Sequence, residues 1–468
     1  MSGPGSPAGE VVRLTVEGVG GLGDGLARHR DIPVYVPLAA PGDIADVLIG
    51  SHRGDGVAGR LMALVRGGAA RRAPPCPHFG ECGGCAVQHL TLEVYGRWKA
   101  NLVGDALAGR GLDAEIRPMQ SPAPNDPLAL RRRALFAAER RENKVAIGFN
   151  ARATHKIVPI GNCLLLTPAL NRLLGVLPEL MNVFLANGER GQAAVTDLPS
   201  PAPRDRPEAG PRTGSAGFAK AGLGGAIDIL VVGPRVPTRR TRERIAGFAS
   251  DHRIARISWR MAKKENAVPE PIVSREPCRI PFGGAAVEFP PGGFLQPSAW
   301  GEATLQRLVI EGMGEPGKIA ELFAGIGTFA FVLAAQWGRG GRWKLAAHER
   351  DAALAGALRQ GANRAGLSGK LSVETRDLDR RPLLADEIAG LDGVILDPPR
   401  TGAKAQCEIL ARAPGPNRAV MVSCNPATFA RDARILVAGG WALKYVTPVD
   451  QFLYSAHLEL VAVFSRSN

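Results

Sequence analysis

Apolar positions along the 468 residues fall into three successive patterns. From Val11 to about Val65, short β-rich runs (Val11 to Val16, Ile32 to Val36, Ile44 to Ile49, Leu61 to Val65) alternate with glycine-rich turns, which predicts a small barrel. Between Ala129 and Ile160, alternating runs (Ala134 to Ala137, Lys144 to Phe149) are interleaved with Arg131, Arg132, Arg133, Arg140 and Arg141, predicting a sheet with a basic face. Ala169 to Leu185 reads as helix, and Leu198 to Leu223, rich in Pro, Gly, Ala and Arg, as a flexible excursion. From about Ile280 the pattern changes to strands alternating with helical segments. A helix around Ala303 to Ile310 precedes strands at Lys318 to Phe323, Leu345 to His348, Leu371 to Thr375, Val394 to Leu396 and Ala419 to Val422, the signature of a doubly wound parallel sheet. The expected division is a β-barrel over 1–70, a central α+β domain over 71–279 and an α/β, Rossmann-like domain over 280–468.

Length supports this division, because one hydrophobic core seldom serves so long a chain. Lys plus Arg outnumber Asp plus Glu by 58 to 44, for a net charge of +14, which points to a polyanionic partner such as nucleic acid. No apolar run reaches the roughly eighteen residues of a membrane span, and Met1 to Glu10 lacks the basic start and apolar core of a signal peptide, so a cytoplasmic protein is expected. Seven cysteines, an odd number, argue for metal or catalytic use over a disulfide framework.

Two stretches carry candidate chemistry before the last domain. Gly18, Gly20, Gly21, Gly23 and Gly25 precede Arg28, His29 and Arg30, a segment that reads either as tight turns or as a nucleic-acid-facing loop. Cys76, Cys82 and Cys85 stand as C-x5-C-x2-C, and with Cys163 they could converge on a cubane iron-sulfur cluster or a structural zinc. His78 and His89 are nearby and read as bystanders.

In the last domain the candidates lie at strand ends, the edge where open α/β sheets bind ligands. Gly325 and Gly327, in Glu321-Leu-Phe-Ala-Gly-Ile-Gly, let the backbone turn tightly beside a ligand, and Thr328 is placed to cap the following helix. Glu349 ends the next strand, about twenty residues on, where a carboxylate can accept ribose hydroxyls. Asp377 and Asp397 follow the next two strands. No triphosphate-binding G-x-x-x-x-G-K-[ST] run is present, and the glycines do not match the G-x-G-x-x-G of dinucleotide enzymes. Cys424, in Val422-Ser-Cys-Asn-Pro-Ala-Thr428, falls where strand gives way to loop, as a buried thiol or as a nucleophile. Cys278 and Cys407 read as ordinary buried thiols.

Glu321-Leu-Phe-Ala-Gly-Ile-Gly, Leu396-Asp-Pro-Pro-Arg-Thr-Gly402, Val422-Ser-Cys-Asn-Pro-Ala-Thr428 and His457-Leu-Glu459, in this order, resemble the RNA uracil-5 methyltransferase family over nearly the whole chain. The resemblance implies an S-adenosylmethionine-dependent enzyme making 5-methyluridine, with Cys424 as nucleophile and Glu459 as general base. Gln296, Phe323, Glu349, Asp377 and Asp397 would bind the cofactor together with Gly325, Gly327 and Thr328. The first barrel resembles a TRAM domain, and Cys76, Cys82, Cys85 and Cys163 resemble the 4Fe-4S site of the 23S ribosomal RNA branch, which favours ribosomal over transfer RNA; a monomer with no DNA partner is expected. Glu321, Ala324 and Thr328 stand where the family often has Asp, Cys and Asn, and Asp450-Gln-Phe-Leu-Tyr-Ser lacks the usual Pro-His pair. An exocyclic-amine methyltransferase, a cytosine-5 enzyme and a non-catalytic RNA-binding or folding factor are the alternatives.

Overall fold

The computed structural model describes residues 9–122, 130–142, 144–199, 225–263, 267–315 and 317–466. The expected excursion between Leu198 and Leu223 lies almost entirely outside them; Leu198 itself closes a strand. Among the described residues no helix is long and apolar enough to cross a membrane.

The first unit is a six-stranded sheet around Leu14, Val16, Ala27, Val34, Val36, Val47, Ile49 and Val57. Two of its strands, Gly18–Val19 and Gly25–His29, fall in the glycine-rich stretch that the sequence left as turn or loop. Arg28 and His29 therefore sit on a strand paired with Ile32–Val36, joined by a two-residue turn in which Arg30 and Asp31 both have positive φ (49° and 64°). That is the primed geometry that matches strand twist, here made without glycine.

Among the described residues the central unit is a seven-stranded, mostly antiparallel sheet with three helices, one of which, Arg239–Asp251, connects the parallel pair Ala226–Gly233 and Arg256–Met261. The single helix expected over Ala169 to Leu185 is two, Pro168–Leu174 and Leu177–Phe184, because Pro178 cannot donate into a continuing helix. The arginine run is less of a free face than its composition suggests. Arg132 is buried, with its guanidinium on Glu302 (2.6 Å) and the Gln296 carbonyl (3.1 Å), and Arg140 donates to the carbonyls of Asn182 and Leu185.

The last unit is built on an eight-stranded sheet. Five parallel strands run in the order Leu371–Thr375, Lys344–Glu349, Lys318–Leu322, Gly393–Leu396, Arg418–Ser423. Gly393–Leu396 is buried at every residue, as a parallel strand covered on both faces must be. The sheet is not wholly parallel: Glu459–Ser465 inserts antiparallel beside Arg418–Ser423 and pairs with Ala442–Val449. Strand Glu115–Ile116 then adds to Ala442–Val449 from far upstream. Helix Leu92–Ala108, which precedes this strand in the chain, buries Val103 and Leu107 in the same core as Leu322, Leu396 and Met421. The division expected at residue 280 is thus crossed by the segment around 92–116. Chain order reverses between Lys318–Leu322 and Gly393–Leu396, so the crevice lies at the C-terminal ends of these two strands.

Candidate active site

The first wall of the crevice is the turn after Lys318–Leu322. Phe323, Gly325 and Gly327 all have positive φ (63°, 57° and 91°), swinging the chain off the strand within five residues. A Cβ at Gly327 would lie 2.7 Å from the Phe331 ring, whereas one at Gly325 would meet open space, leaving room at that point for a ligand. Phe323 holds a conformation that non-glycine residues adopt at a cost of about 1–3 kcal/mol, a strain typical of ligand sites. Glu349 closes the wall: one carboxylate oxygen accepts the Gly325 N–H (2.9 Å) and the other the Asp351 N–H (2.7 Å). Asp377 lies farther along the same edge, in a turn where it accepts the Asp379 N–H (3.1 Å). Thr328 is not a helix cap. The helix is Ala330–Trp337, its N-cap position is Phe329, and Thr328 belongs to the preceding turn.

The opposite wall is made by Cys424 and Glu459. Strand Arg418–Ser423 runs into helix Pro426–Ala438, whose N-cap Asn425 accepts the Ala427 N–H (3.1 Å), so Cys424 occupies the elbow between them. The antiparallel ladder ends at Ser423 opposite Leu460; Cys424 and Glu459 are the next residues on the two chains, and Glu459 helps to raise the Cys424 pKa. This adjacency depends on the final strand running antiparallel, which alternation along the sequence did not reveal.

Burial and like charge set the protonation of this wall. Glu459, 4% exposed, is pushed up to about 8 by burial and by Asp397, against the Gln451 side chain and Arg400. Cys424 is pushed up to about 11 by burial, then by Glu459 and Asp397, with Arg400 opposing. Burial and Glu349 raise Asp397 to about 7. Glu321, behind the glycine turn, rises to about 8 by burial and Asp397, opposed by the N–H groups of Phe329 and Ala330. These crowded acids make the crevice a favourable place for a cation.

Several contributors were not singled out from sequence. Arg400 places one guanidinium nitrogen 2.5 and 2.9 Å from the two ring nitrogens of His457, whose pKa falls to about 4 through burial first and then Arg400. The Arg400 carbonyl accepts from Asn425 (3.1 Å) and Thr428 (3.2 Å), tying its loop to the Cys424 elbow. Gln451 donates to the buried Gln296 amide oxygen (2.9 Å), so Gln296 joins the Glu459 side of the crevice. Arg400 and His457 lay inside quoted motifs; their signal was position two residues from Asp397-Pro and from Glu459. Gln451 carried no comparable signal.

Cys76, Cys82, Cys85 and Cys163, none in a disulfide, line one cavity of about 80 Å³ with Phe149, Arg131 and others. Burial pushes Cys85 up to about 12, and burial followed by neighbouring sulfurs also raises Cys82. Among the described residues no three His, Cys, Asp or Glu side chains converge closely enough for a single metal ion. His78 borders the cavity, whereas His89 is buried with its Nε2 3.2 Å from the Ala39 carbonyl. Cys278 and Cys407 are buried thiols elsewhere.

Comparison with known proteins agrees with this architecture. Residues 6–53 match the TRAM domain family. An RNA methyltransferase of Brucella suis is 36% identical over 97% of this chain and 98% of its own length. One of Rhizobium meliloti is 34% identical over 97% and 99%. A 23S rRNA (uracil(1939)-C(5))-methyltransferase of Alkalilimnicola ehrlichii is 29% identical over 98% and 97%. The crystal structure of Pyrococcus abyssi tRNA (uracil-54, C5)-methyltransferase with S-adenosyl-L-homocysteine shares the fold, with TM-score 0.68 and 21% identity over 97% of this chain and 100% of that one. The chain belongs to the TRAM-containing RNA methyltransferase family that includes the 23S ribosomal RNA uracil-C5 enzymes.

Proposed function

We propose that this enzyme methylates C5 of a uridine in RNA, with S-adenosylmethionine as donor, through a temporary bond between Cys424 and C6 of the ring. The observation that carries the reading is that Cys424 and Glu459 lie just beyond the last rung of one antiparallel pair, close enough for Glu459 to raise the Cys424 pKa, across a crevice from the Phe323–Gly327 turn. The donor supplies an electrophilic methyl on a positively charged sulfur. Gln296, Phe323, Gly325, Gly327, Thr328, Glu349, Asp377 and Asp397 would hold it, and the raised acids around Asp397 favour a cation there.

Uracil C5 is a poor nucleophile. The Cys424 proton passes to solvent and its sulfur adds to C6, placing the electron pair on C5 and O4; C5 then takes the methyl as the donor's sulfur–methyl bond breaks and its electron pair stays on the departing neutral thioether, S-adenosylhomocysteine. C5 now carries both methyl and hydrogen. Glu459 as carboxylate removes that hydrogen as a proton, the electron pair reforms the C5–C6 double bond, and the sulfur leaves. Arg400 opposes the rise in both the Cys424 and Glu459 pKa values, so it favours the ionised form each step requires. The target base must be unstacked to enter, at about a few kcal/mol, which contacts to a chain of net charge +14 can offset.

Two finer points complete the reading. The four thiols of Cys76, Cys82, Cys85 and Cys163 line one cavity, which supports their holding a 4Fe-4S cluster, with zinc the alternative. The same cysteine set and the ribosomal-RNA relative favour 23S ribosomal over transfer RNA as substrate. The test is substitution: Cys424→Ala should abolish methylation while keeping affinity for S-adenosylhomocysteine, and Glu459→Gln should accumulate a protein–RNA adduct on denaturing gels. Retained turnover in the first, or no adduct in the second, removes the mechanism. Mapping 5-methyluridine in total RNA from cells with and without the gene identifies the substrate.

A further inference from the structure

The loop between strands Ala442–Val449 and Glu459–Ser465 carries Gln451, His457 and, at its end, Glu459. Its interior is held by groups from far upstream in the chain. Asp450, Lys99 and Tyr95 are all buried, and the Asp450 carboxylate accepts from both the Lys99 ammonium and the Tyr95 hydroxyl. Lys99 uses its remaining donors on the Tyr95 oxygen (3.1 Å) and the Phe452 carbonyl (2.7 Å), so all three of its N–H bonds are satisfied. The Tyr95 oxygen also accepts the N–H of Tyr454 (3.1 Å).

Tyr454 is the most constrained residue of the loop. Its φ is +58°, a conformation bulky side chains rarely adopt, and it persists where surroundings over-determine it. Its ring packs against Tyr95 (centroids 5.5 Å apart), the Arg72 guanidinium lies over that ring and donates to its hydroxyl (3.2 Å), and its carbonyl accepts the N–H groups of Ala86 (2.7 Å) and Val87 (3.2 Å). Ala86 and Val87 directly follow Cys85. One stretch, from the last clustered cysteine to Lys99, therefore holds the loop at Asp450, Phe452 and Tyr454.

We propose that Tyr95, Lys99 and Asp450 are positioning residues that fix the loop from Gln451 to His457, and through it Glu459, against the bound base. The proposal rests on the reading of Cys424 and Glu459 above. A saturated buried network with a charge pair is lost steeply when one member goes, and its loss frees every group it held.

The test uses Tyr95→Phe in the full-length protein, which keeps the ring packing and removes only the hydroxyl that Asp450, Lys99 and Tyr454 share. Lys99→Met/Asp450→Leu, which leaves no buried charge unpaired, is the second variant. Amide hydrogen exchange across residues 451–457 should quicken at least tenfold in each. At saturating RNA and cofactor kcat should fall at least tenfold, while KM for S-adenosylmethionine stays within twofold. Unchanged exchange in both variants, unchanged kcat, or a loss borne equally by cofactor binding overturns the proposal. The exchange measurement needs no turnover: a wild-type protein that transfers no methyl to RNA uridine sinks the reading of Cys424 and Glu459, whereas a loop equally protected in the variants sinks the network's role.

Discussion

Glu459 and Glu321 owe their raised pKa values to burial first and to Asp397 second, and this makes stability depend on pH in a definite direction. An acid whose folded pKa of about 8 exceeds its ordinary value of 4.5 binds more protons folded than unfolded. Stability is therefore fully present below about pH 4.5 and is lost as pH rises through about 8. Glu321→Gln should flatten that loss: the thermal midpoint of the ligand-free protein rises at pH 8, by roughly 2–4 °C per kcal/mol regained, and is unchanged at pH 4. Calorimetry across that range decides it, and equal midpoints at pH 8 would remove the claim of strained burial. At this scale the candidates were legible in the sequence: Cys424, Glu459 and Asp397 stood in recognisable motifs, and Glu349 at the end of a strand. Their mutual influence was not, because it depends on antiparallel strand pairing and on burial that only the folded sheet provides.

The elements that shape the crevice were read with mixed success for physical reasons. The parallel strands announced themselves as short apolar runs between helical segments. The turn after Lys318–Leu322 was legible as glycines, but Thr328 misled, because the chain needs one further turn before its N–H groups enter a helix. The Arg30–Asp31 hairpin was hidden because Arg30 is not a residue that usually adopts positive φ and no glycine marks the turn. The break at Gly175–Val176 was signalled by Pro178 and overlooked. The glycine turn yields a graded prediction. Gly327→Ala combines a φ of 91° with a Cβ 2.7 Å from Phe331, and should destabilise by about 1–3 kcal/mol and weaken binding of S-adenosylhomocysteine. Gly325→Ala, at 57° in open space, should destabilise less. Titration calorimetry with thermal melts checks the order, and the reverse order contradicts the account of this wall.

Across the whole molecule, the stretch from Cys85 to Lys99 is where the three units meet. The Trp98 indole donates to the Gly20 carbonyl of the first unit (3.0 Å), and that unit's buried Asp24 forms an ion pair with Arg53 (2.7 Å) and accepts a hydrogen bond from Arg152 of the central unit. Domain division by sequence could not show this, because the segment is short and its partners lie far off in the chain, 78 residues away at Gly20 and 351 at Asp450. The net charge is likewise only partly available to a partner, since Arg132 and Arg140 are spent on internal contacts. Exposed Arg60 and Arg66, on the barrel strand Gly56–Arg66, are better placed to meet phosphate. Replacing both with Ala should weaken RNA binding at any sequence and reduce the slope of log affinity against log salt by about 2; an unchanged slope would place the phosphate contacts elsewhere. The central claim is the sulfur–carbon bond, and its most direct test is RNA carrying 5-fluorouridine at the target position, incubated with S-adenosylmethionine and followed by mass spectrometry of the digested protein. Fluorine at C5 leaves Glu459 no proton to remove, so methylated RNA should remain attached to the peptide containing Cys424 and be absent from Cys424→Ala. Attachment to any other residue, or free methylated product with no adduct, would contradict the account.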